Sequence, residues 1–368
     1  MDTGVRVFRG AFIVAAAVLL AAPAAWAEVT IETVPVGNTG NTGEWSGESY
    51  GGFGPDRICG AVSYNFNIGT YEVTAGQYTE FLNNVTGVDT YGLYNPNMWS
   101  SDYGCKIQRT DTGSGYSYSV AADWANRPVT HVSWYDAAMF ANWLTSGDIH
   151  QGAYDTSAGA GWGASHAGDY TGITPRGSAA MDALVGTYGK VYLIPTEDEW
   201  YKAAYHKNDG DTGNYFDYPT SSNTTPGYVD DDGELSGTSI VFVDGVADPG
   251  NYATYDGDCG TEGIGSPYYR TEGGEWENSE SPYDTFDQGG NIWEWNEAII
   301  SDDYRGMRGG SFFFDGSHLP ASLRDGYTPT NEHSSFGFRV VQVPEPASIA
   351  LLALGGVGLL ARRRNIRG

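Results

Sequence analysis

Asp287-Gln288-Gly289-Gly290-Asn291-Ile292-Trp293-Glu294 is the stretch on which the fold turns. It sets two carboxylates seven residues apart with a glycine pair between them. A turn there folds the chain back, so that the main-chain carbonyls of Gly290 and Ile292 join the side chains of Asp287 and Glu294 around one cation. Oxygen-only ligation by carboxylates and carbonyls suits Ca²⁺. The competing reading is that Glu294 pairs with an arginine and Asp287 caps a turn. Downstream, Arg308-Gly309-Gly310 and Gly337-Phe338-Arg339 read as strands whose glycines admit close backbone approach. Arg339, inside the fold, requires a carboxylate partner.

Upstream of that stretch, three helices announce themselves by their caps. Thr74 with Gln77, Ser133 with Asp136, and Thr196 with Glu199 each have capping-box spacing. Behind them, Tyr78, Phe81, Leu82 and Val85, then Ala137, Phe140, Ala141 and Leu144, then Trp200, Ala203 and Ala204 recur at helical spacing. Val62, Tyr64, Phe66 and Ile68 alternate, which predicts a half-buried strand over 61–68. Residues 28–60 and 145–190 read as irregular, and 86–125 as loop with short strands such as Tyr116–Val120. The stretch 206–286 reads as long coil, with Ile240–Val243 the best strand within it. No repeat or linker divides the chain between 61 and 343.

Four segments stand in order along the chain: Ile68-Gly69-Thr70-Tyr71-Glu72-Val73-Thr74; Arg127-Pro128-Val129-Thr130-His131-Val132-Ser133-Trp134; Leu193-Ile194-Pro195-Thr196-Glu197-Asp198-Glu199-Trp200; and the run from Gly289 through Arg308-Gly309-Gly310-Ser311 to Gly337-Phe338-Arg339-Val340. Together they resemble the formylglycine-generating enzyme family, also called sulfatase-modifying factor domains. The resemblance implies a single loop-rich α+β domain, similar to the C-type-lectin-like superfold. It also implies a calcium site at Asp287, Gly290, Ile292 and Glu294. A second site would begin at Asn251 and Tyr252, with Asp256 and Asp258 as carboxylate donors. Enzymes of the family oxidise a substrate cysteine with O₂ at copper(I) held by two thiolates, and soft sulfur is what copper(I) needs. Counting from Gly309-Gly310-Ser311 puts Phe314 and Leu319 where those cysteines belong, and no cysteine follows Cys259. Only Asp315 and His318 remain there as ligand types. No catalytic residue is therefore assigned, and copper is not expected.

Arg6 and Arg9 precede an apolar stretch, and Ala25-Trp26-Ala27 fits a cleavage site, so residues 1–27 read as a secretory signal peptide. At the other end, Pro344-Glu345-Pro346 leads into the apolar run 347–361 and then Arg362-Arg363-Arg364. This order resembles the PEP-CTERM sorting signal, which implies exosortase as a partner and membrane contact only through 347–361, before processing. The domain between is 28–343, with its core at about 61–343. Setting the two ends aside leaves 13 of the 19 basic and 44 of the 46 acidic residues, a net charge near −31. Such a surface repels nucleic acid and anionic lipid.

Of the three cysteines, Cys59, Cys105 and Cys259, two can pair after export, and the spacing does not choose which. His131, beside the second helix, reads as a satisfied structural histidine. The expected protein is an exported, calcium-stabilised binding domain of the cell surface, outer envelope or extracellular matrix. Its ligand would be an exopolysaccharide or a protein, with exposed aromatics in the long loops stacking on sugars. The alternative is a formylglycine-generating oxidase whose metal site is rearranged around Cys105 or Cys259.

Overall fold

Capping chemistry sets where the helices begin. The Thr74 hydroxyl accepts from Gln77 N at 3.2 Å, and the Gln77 side chain accepts from Thr74 N at 2.9 Å. Ser133 with Asp136 and Thr196 with Glu199 form the same reciprocal pair. A computed structural model describes residues 29–85, 87, 89–157, 161–228, 250–256 and 263–343. Its helices are Ala75–Val85 (α1), Asn97–Ser100 (α2), Trp134–Ser146 (α3), Ala179–Tyr188 (α4) and Glu197–Tyr205 (α5). Its strands are Thr33–Val36 (β1), Glu44–Ser46 (β2), Arg57–Cys59 (β3), Phe66–Gly69 (β4), Ile107–Asp111 (β5), Tyr116–Val120 (β6), Val191–Leu193 (β7), Trp293–Ser301 (β8), Tyr304–Arg308 (β9), Asp325–Tyr327 (β10), Phe336–Gly337 (β11) and Val341–Val343 (β12).

One sheet runs β1-β4-β12-β7 and is antiparallel throughout. A second runs β10-β9-β8-β11, with β11 parallel to β8. β2–β3 and β5–β6 are separate hairpins. This is the expected α+β, loop-rich domain. Helices α1 and α3 meet through aromatic edges: Phe81 lies 5.2 Å from Phe140, which lies 5.4 Å from Phe338 of the closing segment. Such edge-to-face pairs add to the burial of large apolar area. Helix α3 is buried nearly all round, with Leu144 and Ser146 its half-buried positions.

Several expectations are corrected. The strand over 61–68 is shorter, Phe66–Gly69, although Val62 is buried as its spacing implies. Residues 28–60 are not irregular: they supply β1, which pairs Thr33–Val36 with β4, and the β2–β3 hairpin. The stretch 145–190 contains α4, capped by the Ser178 hydroxyl accepting from Met181 N at 3.1 Å. Only Met181 and Val185 of α4 are buried, too weak a stripe to read by periodicity. Ile240–Val243 and both terminal signals lie outside the described residues. Among the described residues no helix is long and apolar enough to cross a membrane.

Candidate metal centre

Main-chain hydrogen bonds stitch three distant segments into one site. Val73 N donates to Phe338 O at 2.9 Å, and Phe286 N donates to Thr70 O at 2.9 Å. These place Glu72, Asp287 and Arg339 together. The glycine turn completes the arrangement. Gly290 has φ +81°, and a Cβ there would stand 2.2 Å from Thr254 O, so only glycine fits.

Arg339 is fully buried and holds Glu294 from two sides, Nε to Oε2 at 2.7 Å and Nη2 to Oε1 at 2.7 Å. Trp200 Nε1 adds a bond to Glu294 Oε2 at 2.8 Å. Asp287 accepts from Gly274 N at 2.7 Å. These contacts are those of the competing reading, an arginine pair and a turn cap. They do not balance the charge, however. Glu72 is 3 % exposed, and neither of its carboxylate oxygens has a hydrogen-bond partner. Burial, then Asp287 and Glu294, push its pKa well above the ordinary range. Asp287 is pushed up to about 6, mainly by burial, against the opposing pull of the Gly274 N–H and Arg339. Three carboxylates thus crowd one guanidinium, and the raised pKa values mean that a proton relieves the crowding where no cation does.

Two cavities lie near these carboxylates, and neither is lined by Gly290, Ile292 or Glu294. A cavity of about 10 Å³ lies beside Asp287, lined also by Thr220, Tyr252, Ser279 and Gln288. That is close to the space one water occupies. Glu72 also lines an open cleft of about 620 Å³ that carries Glu32, Glu80 and Glu272. Among the described residues no three His, Cys, Asp or Glu side chains converge closely enough to hold an ion by themselves. Sequence reasoning does not assign Glu72 a role; its one signal is an acidic residue between Tyr71 and Val73 just ahead of a helix cap.

The second predicted site is only partly assembled. The Asn251 side-chain oxygen accepts from Thr220 Oγ1 at 2.6 Å, and its amide donates to Thr224 Oγ1 at 3.2 Å. Tyr252 joins Asp287 at the small cavity. Asp256 is buried, its N–H donating to Phe314 O at 3.1 Å, and Asp258 lies outside the described residues.

At the positions counted for the copper thiolates, Phe314 meets the His318 ring at 4.7 Å and Trp293 at 6.0 Å. Leu319 is fully buried in a cluster with Ala253 and Tyr255. His318 Nδ1 stands 3.5 Å from Asp315 Oδ1, whose other task is to accept from Ser317 N at 2.8 Å. Cys59 and Cys105 are both buried free thiols, so they do not pair with each other; Cys259 lies outside the described residues. Cys105 Sγ contacts Thr130 O at 3.7 Å, and burial raises its pKa. His131 is not the satisfied histidine expected: both ring nitrogens lack partners, and burial followed by the Arg270 charge lowers its pKa to about 4, leaving it neutral.

Residues 55–344 match the sulfatase-modifying factor enzyme 1-like domain, and residues 342–364 match the PEP-CTERM protein-sorting motif. Among solved structures, PvdO from Pseudomonas aeruginosa is similar at 15% identity and TM-score 0.45, covering 86% of this chain and 95% of that one. CarF is similar at 21% identity and TM-score 0.44, covering 85% and 98%. Treponema denticola variable protein 1 is similar at 18% identity and TM-score 0.44, covering 85% and 95%. No curated protein sequence matches the chain.

Proposed function

The chain belongs to the sulfatase-modifying factor enzyme 1-like family and ends in a PEP-CTERM motif; from that premise we propose that it is a calcium-stabilised binding domain rather than a cysteine oxidase. The motif implies export, recognition by exosortase-type sorting machinery and association with the cell surface or envelope. The extracellular matrix is the proposed destination, and an exopolysaccharide or a protein the proposed ligand.

One observation carries the non-oxidase reading: Phe314 and Leu319 stand where the family's thiolate pair belongs, packed into aromatic and aliphatic contacts. Hydrocarbon offers copper(I) no donor. The test is to load the purified protein with copper(I) and offer a Cys-x-Pro-x-Arg peptide under O₂. Unchanged cysteine is expected; its conversion to an aldehyde, seen by mass spectrometry, overturns the reading.

Calcium is supported by the crowding of Glu72, Asp287 and Glu294 around Arg339, where a divalent ion would take the place of the proton that Glu72 otherwise holds. Asp287, Glu294 and the main-chain oxygens of Gly290 and Ile292 would hold the ion, with Glu72 supplying compensating charge. A ligand at a hundredfold excess over its Kd stabilises by about 2.7 kcal/mol. Melting should therefore shift upward by roughly 5 °C on adding calcium to chelated protein. An unchanged melting temperature refutes the site.

A further inference from the structure

Six of the ten exposed large apolar side chains among the described residues belong to the β2–β3 hairpin, its loop and the adjoining strands β8 and β10. Trp45 is 52% exposed and Ile299 is 49% exposed, and Tyr50, Phe53, Ile58 and Tyr327 are exposed beside them. Trp45 and Ile58 are cross-strand partners on the outward side of the β2–β3 hairpin. The Trp45 and Tyr50 rings lie 6.4 Å apart and within 8° of parallel. The hairpin loop then packs onto the second sheet. A Cβ on Gly54 would stand 2.4 Å from Ile300 Cγ2, and Phe53 N donates to Arg324 O at 2.8 Å. The Phe53 ring meets Tyr304 at 5.7 Å, and Tyr304 meets Tyr327 at 6.5 Å. A row of rings thus continues from the hairpin across β9 and β10.

Beside this row lies a groove of about 510 Å³ that Ile299 and Arg57 help to line. Its charged lining is three guanidiniums, Arg57, Arg176 and Arg305, and three carboxylates, Glu197, Asp198 and Glu297. The charges cancel, and most are already paired: Arg57 with Glu197 at 3.0 Å and Asp198 at 2.8 Å, Arg176 with Glu297 at 2.7 Å. The groove's charges thus balance, whereas the chain as a whole carries a large acidic excess.

We propose that this face, the ring row together with the groove, binds a neutral polysaccharide. The proposal rests on the binding reading above and names its ligand class. Apolar ring faces suit the C–H faces of sugars, and fixed ion pairs keep hydrogen-bonding capacity for hydroxyls without selecting a charge. An anionic polymer meets the field of a chain whose exported part is near −31, and a second copy of the chain repels the first for the same reason.

The test is electrophoresis of the purified protein through native gels containing laminarin or dextran, with alginate as the anionic comparator and calcium present throughout. A neutral glycan should retard the protein and alginate should not. Trp45→Ala and Tyr50→Ala should each weaken retardation roughly tenfold, the order expected for one stacked ring. Trp99→Ala, which removes an exposed tryptophan on helix α2, should leave it unchanged. No retardation by either neutral glycan, equal retardation by alginate, or full retardation of the Trp45→Ala, Tyr50→Ala double variant overturns the proposal. None of those results moves the calcium melting shift or the peptide assay, so the broader reading stands or falls separately.

Discussion

At the scale of single residues, Glu72 stands out among the described residues for what it lacks. A buried carboxylate with no hydrogen-bond donor and two acidic neighbours is costly unless something positive joins it. Glu72→Gln removes the charge and keeps the shape. It should melt higher than the parent in chelator and lower than the parent in saturating calcium; a shift of the same sign in both conditions shows that no cation is compensated there. Asp136 makes a separate prediction about pH. It is buried at the start of α3, where burial and then Glu332 push its pKa from 3.8 up to about 7, against the Ser133 hydrogen bonds. Between about pH 4 and 7 the folded state therefore holds a proton that the unfolded state has lost. Stability is fully present below that window and declines as pH rises through it. Asp136→Asn keeps an oxygen for the cap and should flatten this decline; an equally steep melting curve from pH 5 to 8 in the variant assigns the pH dependence elsewhere. Asp287, Glu294 and Arg339 were legible from their motifs. Glu72 and His131 were not, because what matters about them is a missing partner, and sequence spacing reports only partners that are near in the chain.

At the scale of elements, caps were the most readable feature. Thr74, Ser133 and Thr196 open their helices where the spacing places them. The signal is local, a side chain bonding to a backbone N–H three residues on, so no tertiary knowledge is needed. Strands β1, β2 and β3 were missed for the opposite reason. They are three or four residues long and are fixed by partners elsewhere, β1 by β4 and the hairpin by its packing on α5. The same contrast separates two substitutions in α5. Thr196→Ala removes one cap and should cost about 1 kcal/mol. Glu199 does more than cap: it also accepts from Tyr64 at 2.8 Å and pairs with Arg176 at 3.1 Å, fully buried. Glu199→Ala should therefore cost about 3–5 kcal/mol, the range for breaking a buried ion pair. Urea denaturation of the two variants checks the difference; equal losses mean that Arg176 is satisfied by Glu297 alone.

At the scale of the whole molecule, the charges are sorted by sign. All 13 basic residues between 28 and 343 are buried or half-buried, and none is exposed. Arg308 and Arg324 converge on Glu197, Arg339 closes on Glu294, and Arg305 donates to the main chain at Glu297. The interior thus holds its arginines by pairing, while the surplus carboxylates face water. The net charge could be counted from the sequence, but its segregation could not, since an arginine that stitches segments together looks the same in one dimension as one that faces solvent. Segregation sharpens the electrostatic consequence. Few positive groups reach the surface to offset the mutual repulsion of the acids, so the folded state should be strained at low ionic strength. Raising sodium chloride from about 10 mM to 150 mM shortens the Debye length from about 30 Å to about 8 Å. Melting temperature in chelator should rise across that range and then level off. Exposed, evenly scattered ion pairs would respond in the opposite direction, because screening weakens attraction as well as repulsion. A melting temperature that falls with salt would show that attractive pairs govern the surface, and the sorting of charge seen here would then have no energetic weight.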